Sequence, residues 1–433
     1  MSADYPGLRS KMTWRLIVPL AALSFLNSID RVNVSYAAVR MMPDVGLTPL
    51  TYGFGISSFF IAYLIFQYPH AALLGKFGAR RWLSSSVFAW GVIGSGMAFI
   101  NDATTFYVMR FLLGVAEAGL APGMTYYISQ WMPRKFRALG VAVALASVPL
   151  SMVVGGPLSG WLMDQANPIG MSGWRWMFLL QGLPILIAAF VAYVYFVDRM
   201  EQARWLTPGE KEWLAAELAK DRSASDSVGV ARISDVAGNP RVWLCALVWL
   251  CIMTGAYGMV FWLPQVISQI APGHSNLEIG IISALPQAGV MIGMLVNAWH
   301  SDQTQERVWH VGLAALLAGV CLSLASFAGA SMLALLFLIG MGFGLGASQG
   351  AFWAIPTTLL QGRFALAGIA LINMSGTLGG VVGPALTGAV RNRTGSFAAS
   401  ILMLGLLLIA AFGLLMALRA LRPAKILREE QFT

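Results

Sequence analysis

The chain has 433 residues, of which 58% are hydrophobic and only 11% are charged, and its mean hydropathy is +0.70. Soluble globular domains carry about 25% charged residues, so this composition excludes an ordinary soluble protein and indicates a membrane protein. The formal net charge is +9. Because the basic residues are scattered between apolar runs rather than gathered in a stripe, the sequence argues against a nucleic-acid partner.

A helix that crosses a bilayer needs about 20 apolar residues. Runs of that length predict an all-α membrane protein with twelve transmembrane helices, six before a polar stretch and six after it. The predicted spans cover residues 14–38, 50–74, 82–100, 105–129, 137–163, 174–197, 242–268, 277–299, 308–328, 332–356, 364–390 and 396–420. No small-residue cleavage site follows the first run, so we expect that run to be retained.

Lysine and arginine are unevenly distributed between the short loops on the two sides of the membrane, and the richer side is normally cytoplasmic. One side holds fifteen: Arg9, Lys11, Arg15, Lys76, Arg80, Arg81, Arg134, Lys135, Arg137, Arg307, Arg363, Arg419, Arg422, Lys425 and Arg428. The other holds four: Arg40, Arg175, Arg391 and Arg393. This predicts that both termini are cytoplasmic.

The polar stretch divides the chain into an N-terminal six-helix lobe at 1–197, a cytoplasmic linker at 198–241, and a C-terminal six-helix lobe with a tail at 242–433. Within the linker, "LTPGEKEWLAAELAK" at 206–220 predicts a short surface helix, with Thr207 as its N-cap and Pro208 in its first turn.

The two lobes share a pattern of glycine and proline residues at matching positions. "GGPLSG" at 155–160 resembles "VGPALTG" at 382–388, an offset of 227 residues, and "FLLGVAEAG" at 111–119 falls over "FLIGMGFGLG" at 337–346. Such parallel repeats are typical of two-lobed transporters, whose binding sites lie between the lobes near the bilayer midplane.

The twelve spans, the basic loop after span two and the glycine-proline runs of spans five and eleven resemble the major facilitator superfamily. The loop signature of that family is matched at Gly75, Lys76, Gly78, Arg80 and Arg81, but its first glycine is Ala71 and its acid is missing; the second copy keeps the acid as Asp302. Four further stretches resemble the anion:cation symporter branch, which includes tartrate, galactonate, phthalate and hydroxyphenylacetate permeases. They are "IDRVNVSYA", "RFLLGVAEAGLAPG", "FWLPQ" and "ARWLTPGEKEWL".

Four ionisable residues fall well inside the predicted spans, and all are in the N-terminal lobe: Asp30, Arg31, Arg110 and Glu117. An ionisable residue at the centre of a membrane helix costs about 2.5–3.5 kcal/mol and is usually functional. The offset places Tyr257, Gly258, Leu336 and Phe343 or Gly344 at the matching C-terminal positions, all uncharged. We therefore expect the N-terminal lobe to handle protons, and the C-terminal lobe to offer shape and hydrogen bonds.

Adjacent helical residues point about 100° apart, so Asp30 and Arg31 must find different partners. One arrangement pairs Asp30 with Arg110 and leaves Arg31, whose planar fork matches a carboxylate, for an incoming anion. Asp30 and Glu117 are then the proton-coupling candidates. Arg31, Arg110 and Tyr257 are candidate substrate-binding residues, and either arginine could be the main anion ligand. In the alternative, Arg110 is a structural clamp and Glu117 a hydrogen-bonded packing acid.

The resemblance to the symporter branch implies three uncharged substrate contacts, at Tyr63, Trp353 and Asn373. They could instead be an interfacial aromatic, a packing ring and a helix–helix hydrogen bond, respectively. Some sugar-acid members of the branch carry a serine where this chain has Gly350, which favours a less polar or aromatic acid.

We therefore expect a proton-coupled symporter that imports a small organic carboxylate (an aromatic, tartrate-like or sugar acid) by alternating access, as a monomer in the lipid bilayer. The rivals are a proton-coupled multidrug exporter and a transport-inactive sensor on the same fold. We expect no enzymatic activity and no metal or other cofactor, because the sequence has no nucleophile–base spacing and no metal-ligand cluster. Three cysteines, Cys245, Cys251 and Cys321, fall in apolar runs and are expected to be packing residues.

Overall fold

The computed structural model describes residues 7–165, 169–226, 233–360, 362 and 364–421, and this part of the chain is helical, without β-strands. The first half contains α1 (Leu8–Met12), a π-helical turn (Thr13–Ile17), α2 (Val18–Val45), α3 (Pro49–Phe77), α4 (Ala79–Gly96), a 3-10 turn (Met97–Phe99), α5 (Ala103–Glu117), α6 (Leu120–Trp131), α7 (Arg134–Asp164) and α8 (Gly173–Tyr195). The linker contains a 3-10 turn (Met200–Gln202), α9 (Pro208–Asp226) and α10 (Ile233–Ala237). The second half contains α11 (Pro240–Val260), α12 (Leu263–Ile270), α13 (Asn276–Thr304), α14 (Val308–Phe327), α15 (Met332–Phe352), α16 (Ala354–Leu359), α17 (Phe364–Thr394) and α18 (Phe397–Ala420).

The predicted architecture, two lobes of six spans, is confirmed. Within the described residues, 10 helical segments are long and apolar enough to cross a membrane. The other two predicted spans correspond to the consecutive helices α5 and α6, and to α7, which is 31 residues long. Of the basic residues that predicted the orientation, Arg363, Arg422, Lys425 and Arg428 lie outside the described residues, as do the side chains of Arg134, Lys135 and Arg137.

Three of the spans are broken, at Ala118–Gly119, at Phe261–Trp262 and at Trp353. In the second break, Pro264 opens α12 and cannot donate a helical hydrogen bond. In the first, Gly119 packs directly against the His70 ring of α3, which leaves no space for a β-carbon. Discontinuous spans of this kind are tolerated where they line a cavity or are buried in protein. We therefore expect these breaks to face the interior of the protein rather than the lipid.

The lobes meet mainly through α7 with α13 and α3 with α17. Hydrogen bonds cross from the Tyr52 hydroxyl to the Phe261 carbonyl (3.1 Å) and from the Ser57 hydroxyl to the Val381 carbonyl (2.6 Å). Since consecutive spans alternate in direction, these contacts lie in the half of the molecule away from the chain termini. The lobes are therefore closed against each other in that half.

A ladder of glycines brings α13 and α15 of the C-terminal lobe into backbone contact. Three glycines of α15 face residues of α13: Gly342 faces Pro286, Gly346 faces Val290, and Gly350 faces Met294. A β-carbon at Gly350 would lie only 2.7 Å from the Met294 carbonyl oxygen. Small residues spaced four apart allow this close approach in membranes, so packing by itself accounts for glycine at 350.

The linker helix α9 is attached to the N-terminal end of the chain. Lys11 Nζ lies 2.7 Å from Glu210 Oε1, and the Thr207 hydroxyl accepts a hydrogen bond from the Glu210 N–H (3.3 Å), which confirms Thr207 as the capping residue. The helix continues to Asp226, six residues beyond the predicted end at 220.

The basic loop between α3 and α4 lacks the acidic residue of the family signature, and a carboxylate from another part of the chain contacts the loop instead. Asp198, which follows α8, accepts a hydrogen bond from the Arg80 N–H (2.8 Å) at the start of α4 and packs against Gly78. A carboxylate at this position interacts favourably with the helix dipole. The matching loop of the C-terminal lobe has its own acid, Asp302, whose Oδ1 atom lies 2.6 Å from Arg307 Nη1.

Candidate substrate site

An ion pair joins α2 to α5 in the N-terminal lobe, between half-buried Arg31 and buried Glu117. Glu117, the last residue of α5, is 1% exposed. Its Oε2 atom accepts hydrogen bonds from Asn27 Nδ2 (2.7 Å), Arg31 Nη2 (3.0 Å) and Arg31 Nε (3.3 Å). Its other oxygen, Oε1, is buried and has no hydrogen-bond partner in the described part of the chain. The helix break that begins at Ala118 places this carboxylate at the end of α5, where it reaches Arg31 of α2.

The prediction that Asp30 pairs with Arg110 is wrong. Asp30 points away from Arg31 and accepts hydrogen bonds from Trp90 Nε1 (2.6 Å) and Asn33 Nδ2 (3.1 Å). Asn33 also donates to Gln181 Oε1 (3.0 Å) of α8. Two neutral donors compensate Asp30 within the lobe, so Asp30 and Glu117 belong to separate hydrogen-bond networks.

Arg110 is left without an acceptor. It is 1% exposed, and its Nε and Nη2 atoms are buried with no hydrogen-bond partner among the described residues. Its guanidinium carbon lies 4.7 Å from the centroid of the Phe59 ring, a cation–π contact. Since Arg31 is engaged with Glu117, Arg110 is the arginine whose donors are unused in this conformation, the reverse of the prediction.

Aromatic residues from both lobes surround Arg31. Its guanidinium carbon lies 5.0 Å from the centroid of the Tyr63 ring and 5.4 Å from that of Phe59. Tyr257 of the C-terminal lobe interacts electrostatically with the same guanidinium and packs on Phe60 of α3, with ring centroids 4.7 Å apart. The structure thus brings Arg31, Tyr63 and Tyr257 together where the lobes face each other.

Trp353 and Asn373 occupy different surroundings. Trp353 sits in the third helix break and packs edge-on against Trp249 (5.2 Å between centroids) and Phe352 (5.5 Å). Asn373 is exposed, and its side-chain amide makes no hydrogen bond to a described residue, so the alternative of a helix–helix hydrogen bond is not realised. Leu336, the residue of the C-terminal lobe that matches Arg110 in the repeat, is 58% exposed.

The sequence did not single out the neutral residues that complete the site. Asn27 lies one helical turn before Arg31 and bonds both members of the ion pair. Trp90 and Gln181 come from spans with no buried charge. The only available signal was the i, i+4 spacing of Asn27 and Arg31, which places both on one face of α2.

Two six-helix lobes that meet around a buried, partly compensated set of charges define a multi-pass membrane transporter of small molecules. Ionisable groups within spans mark substrate or ion pathways in such proteins.

Comparison with known proteins agrees with this class. The family model described as "Major Facilitator Superfamily" matches residues 20–384. A "Putative tartrate transporter" of Agrobacterium vitis is 41% identical over 406 residues, covering 93% of this chain and 89% of that protein. A "Quinolone resistance transporter" of Acinetobacter baumannii is 36% identical, covering 94% and 93%. A bacterial homologue of the human lysosomal transporter Spinster, solved in an inward-facing and occupied conformation, superposes with a TM-score of 0.74 at 16% identity, covering 96% of each chain.

The chain belongs to the major facilitator superfamily, and it is a transporter rather than an enzyme.

Proposed function

We propose that this protein is a proton-coupled symporter of the anion:cation branch, which imports a small organic carboxylate by alternating access. It works as a monomer in a bacterial inner membrane, with both termini in the cytoplasm. The observation that carries the proposal is the ion pair between Glu117, which is buried, and Arg31, whose side chain is 20% exposed, at the face between the lobes. The similarity to a protein named as a tartrate transporter supports a carboxylate substrate.

The pair supplies a coupling mechanism. A proton on Glu117 abolishes its negative charge and weakens its hold on Arg31, whose fork then becomes available to a substrate carboxylate. Oε1 of Glu117 makes no hydrogen bond to a described residue that protonation would break, so it is the oxygen that takes the proton. One proton and one carboxylate enter together, and the site stays charge-compensated throughout.

Asp30 is the second proton-coupling candidate and acts within the lobe. It joins α2 to Trp90 of α4 and, through Asn33, to Gln181 of α8. Protonation there would reorganise contacts between helices of one lobe rather than contact the substrate. In the proposed orientation, the closed half faces away from the cytoplasm. Substrate and protons would reach or leave the site from the cytoplasmic side in this conformation.

The test compares accumulation with exchange in proteoliposomes that contain the full chain. Glu117→Gln should abolish uptake driven by an inward proton gradient and retain counterflow of labelled substrate, because an amide mimics the protonated acid. Glu217→Gln, on the linker helix, is the matched control and should retain both activities. Undiminished uphill uptake by Glu117→Gln would remove this residue from the coupling mechanism.

The relative named for quinolone resistance favours a second candidate, a proton-coupled exporter with the same fold. The same proteoliposomes separate the two directions. A symporter accumulates an organic acid when the proton gradient points inward, whereas an antiporter accumulates its cargo when the gradient points outward. A transport-inactive sensor would bind ligand and move it under neither gradient.

A further inference from the structure

A cavity of about 180 Å³ lies between the lobes. Val148 and Met152 of α7 form its N-terminal wall, and residues of α11, α12, α13 and α15 form the rest. Tyr257 lines the cavity and also interacts with the Arg31 guanidinium. A ligand whose carboxylate is held by Arg31 can therefore place its body in this cavity.

The wall of the cavity is apolar, and none of the described residues that line it is charged. Four methionines, one from the N-terminal lobe and three from the C-terminal lobe, dominate it: Met152, Met253, Met259 and Met341. Methionine sulfur makes favourable contacts with aromatic rings, and the unbranched side chain adapts to their shape. A second carboxylate placed in this cavity would be desolvated without a counter-charge.

Two glutamine amides are the exception to this apolar wall. Gln287 of α13 is only 6% exposed, and Gln349 of α15 is half-buried; both line the cavity. Neither side chain makes a hydrogen bond to a described residue. The glycine ladder holds α13 and α15 at backbone contact, so the two amides have fixed relative positions. The amides are accessible from the cavity rather than sealed in protein, so they can hydrogen-bond a polar group placed there.

We propose that this cavity is the specificity subsite, and that the substrate is a single-ring aromatic monocarboxylate with one hydrogen-bonding substituent. The assignment rests on the proposed function, since the carboxylate is given to Arg31. An engineered apolar cavity of about 150 Å³ holds one benzene molecule, so a cavity of about 180 Å³ accommodates a ring with one small substituent. Gln287 and Gln349 bind that substituent, and the methionines contact the ring.

The experiment measures binding of benzoate, 4-hydroxybenzoate and tartrate to the purified full chain by calorimetry. The expected order of affinity is 4-hydroxybenzoate, then benzoate, then tartrate. Gln287→Leu should weaken binding of 4-hydroxybenzoate by about fivefold to tenfold, the loss of one hydrogen bond, and leave benzoate unchanged. Gln349→Leu tests the second amide in the same way. Gln265→Leu is the matched control, because Gln265 is equally buried but bonds Arg391 outside the cavity.

Tighter binding of tartrate than of both aromatic acids by the wild-type protein would overturn the assignment, and this measurement needs no variant. An equal loss of benzoate and 4-hydroxybenzoate in both glutamine variants would also overturn it. Either outcome leaves carboxylate symport standing if proton-driven uptake of tartrate is observed. Conversely, the expected binding pattern without uptake under a proton gradient would retain the subsite and reject the proposed symport.

Discussion

Replacing Asp164 with alanine should shift the protein toward the conformation that is open in the half away from the chain termini. Asp164 ends α7 in the N-terminal lobe, and its carboxylate accepts hydrogen bonds from Asn276 Nδ2 (2.6 Å) and the Leu277 N–H (2.7 Å) at the start of α13. Arg40 donates to the same Asn276 side chain (3.1 Å). These bonds join the two lobes, so they exist only while the lobes are closed there.

The size of the shift follows from the contacts that are lost. A charge at a helix N-terminus contributes about 0.3–1 kcal/mol, and one or two solvent-accessible hydrogen bonds bring the total for Asp164 to about 1–2 kcal/mol. That corresponds to about a 5–30-fold change in the ratio of closed to open molecules. Asp164→Asn keeps hydrogen-bonding capacity and loses the charge, so its effect should be smaller.

Distances between spin labels measure this ratio directly. Labels at the exposed residues Thr104 and His274, one in each lobe, should show a larger population at long distance in Asp164→Ala, in a background without the native cysteines. Asp44→Ala is the matched control, because Asp44 bonds Trp174 Nε1 (2.7 Å) within one lobe. A wild-type distance distribution in Asp164→Ala, or an equal shift in the control, would refute the role of Asp164 as a bond between lobes.

Three further predictions concern the site and the linker. Arg31→Lys keeps the charge but loses the two-pronged geometry, so affinity for the carboxylate should fall about tenfold or more, about 1.4 kcal/mol; wild-type affinity in a calorimetric titration would point to Arg110 instead. Trp353→Phe should change which acids are taken up while the proton-to-substrate ratio, measured by reversal potential, stays the same; a changed ratio with unchanged acid preference would contradict it. The hydrogen bond from Lys11 lowers the pKa of Glu210, so docking of α9 should be fully stabilised above the ordinary glutamate pKa of about 4.3 and lost as pH falls through the lower folded value. Limited proteolysis of the linker across that range should show this dependence, and Glu210→Gln should lack it.

The fold could be predicted because long apolar runs and an internal repeat are both visible in one sequence. The ends of the helices could not. The helix α2 continues to Val45, seven residues past the predicted end at 38, although Arg40 and Asp44 lower the hydropathy of this segment. Both side chains find partners, Asn276 and Trp174, that only the packed structure supplies.

The set of buried charges could also be predicted, but their pairing could not. Helical geometry shows that Asp30 and Arg31 diverge, yet it does not say which residues meet them. In the structure, Asp30 accepts hydrogen bonds from the neutral donors Trp90 and Asn33, and Arg31 forms an ion pair with Glu117. The helix break after Glu117 decides this pairing, and its signal, a single glycine at 119, is too common in membrane helices to be read as a break.

The glycine ladder between α13 and α15 also determines which wall of the central cavity can move. Backbone contact at Gly342, Gly346 and Gly350 leaves no slack for these two helices to slide or separate, so the surface that carries Gln287 and Gln349 keeps one shape as the lobes rock. In the proposed alternating-access cycle, the wall formed by α7, which belongs to the other lobe, changes its distance from that surface. A bound molecule would therefore travel with the C-terminal lobe, and the timing of its release would be set by the withdrawal of Met152.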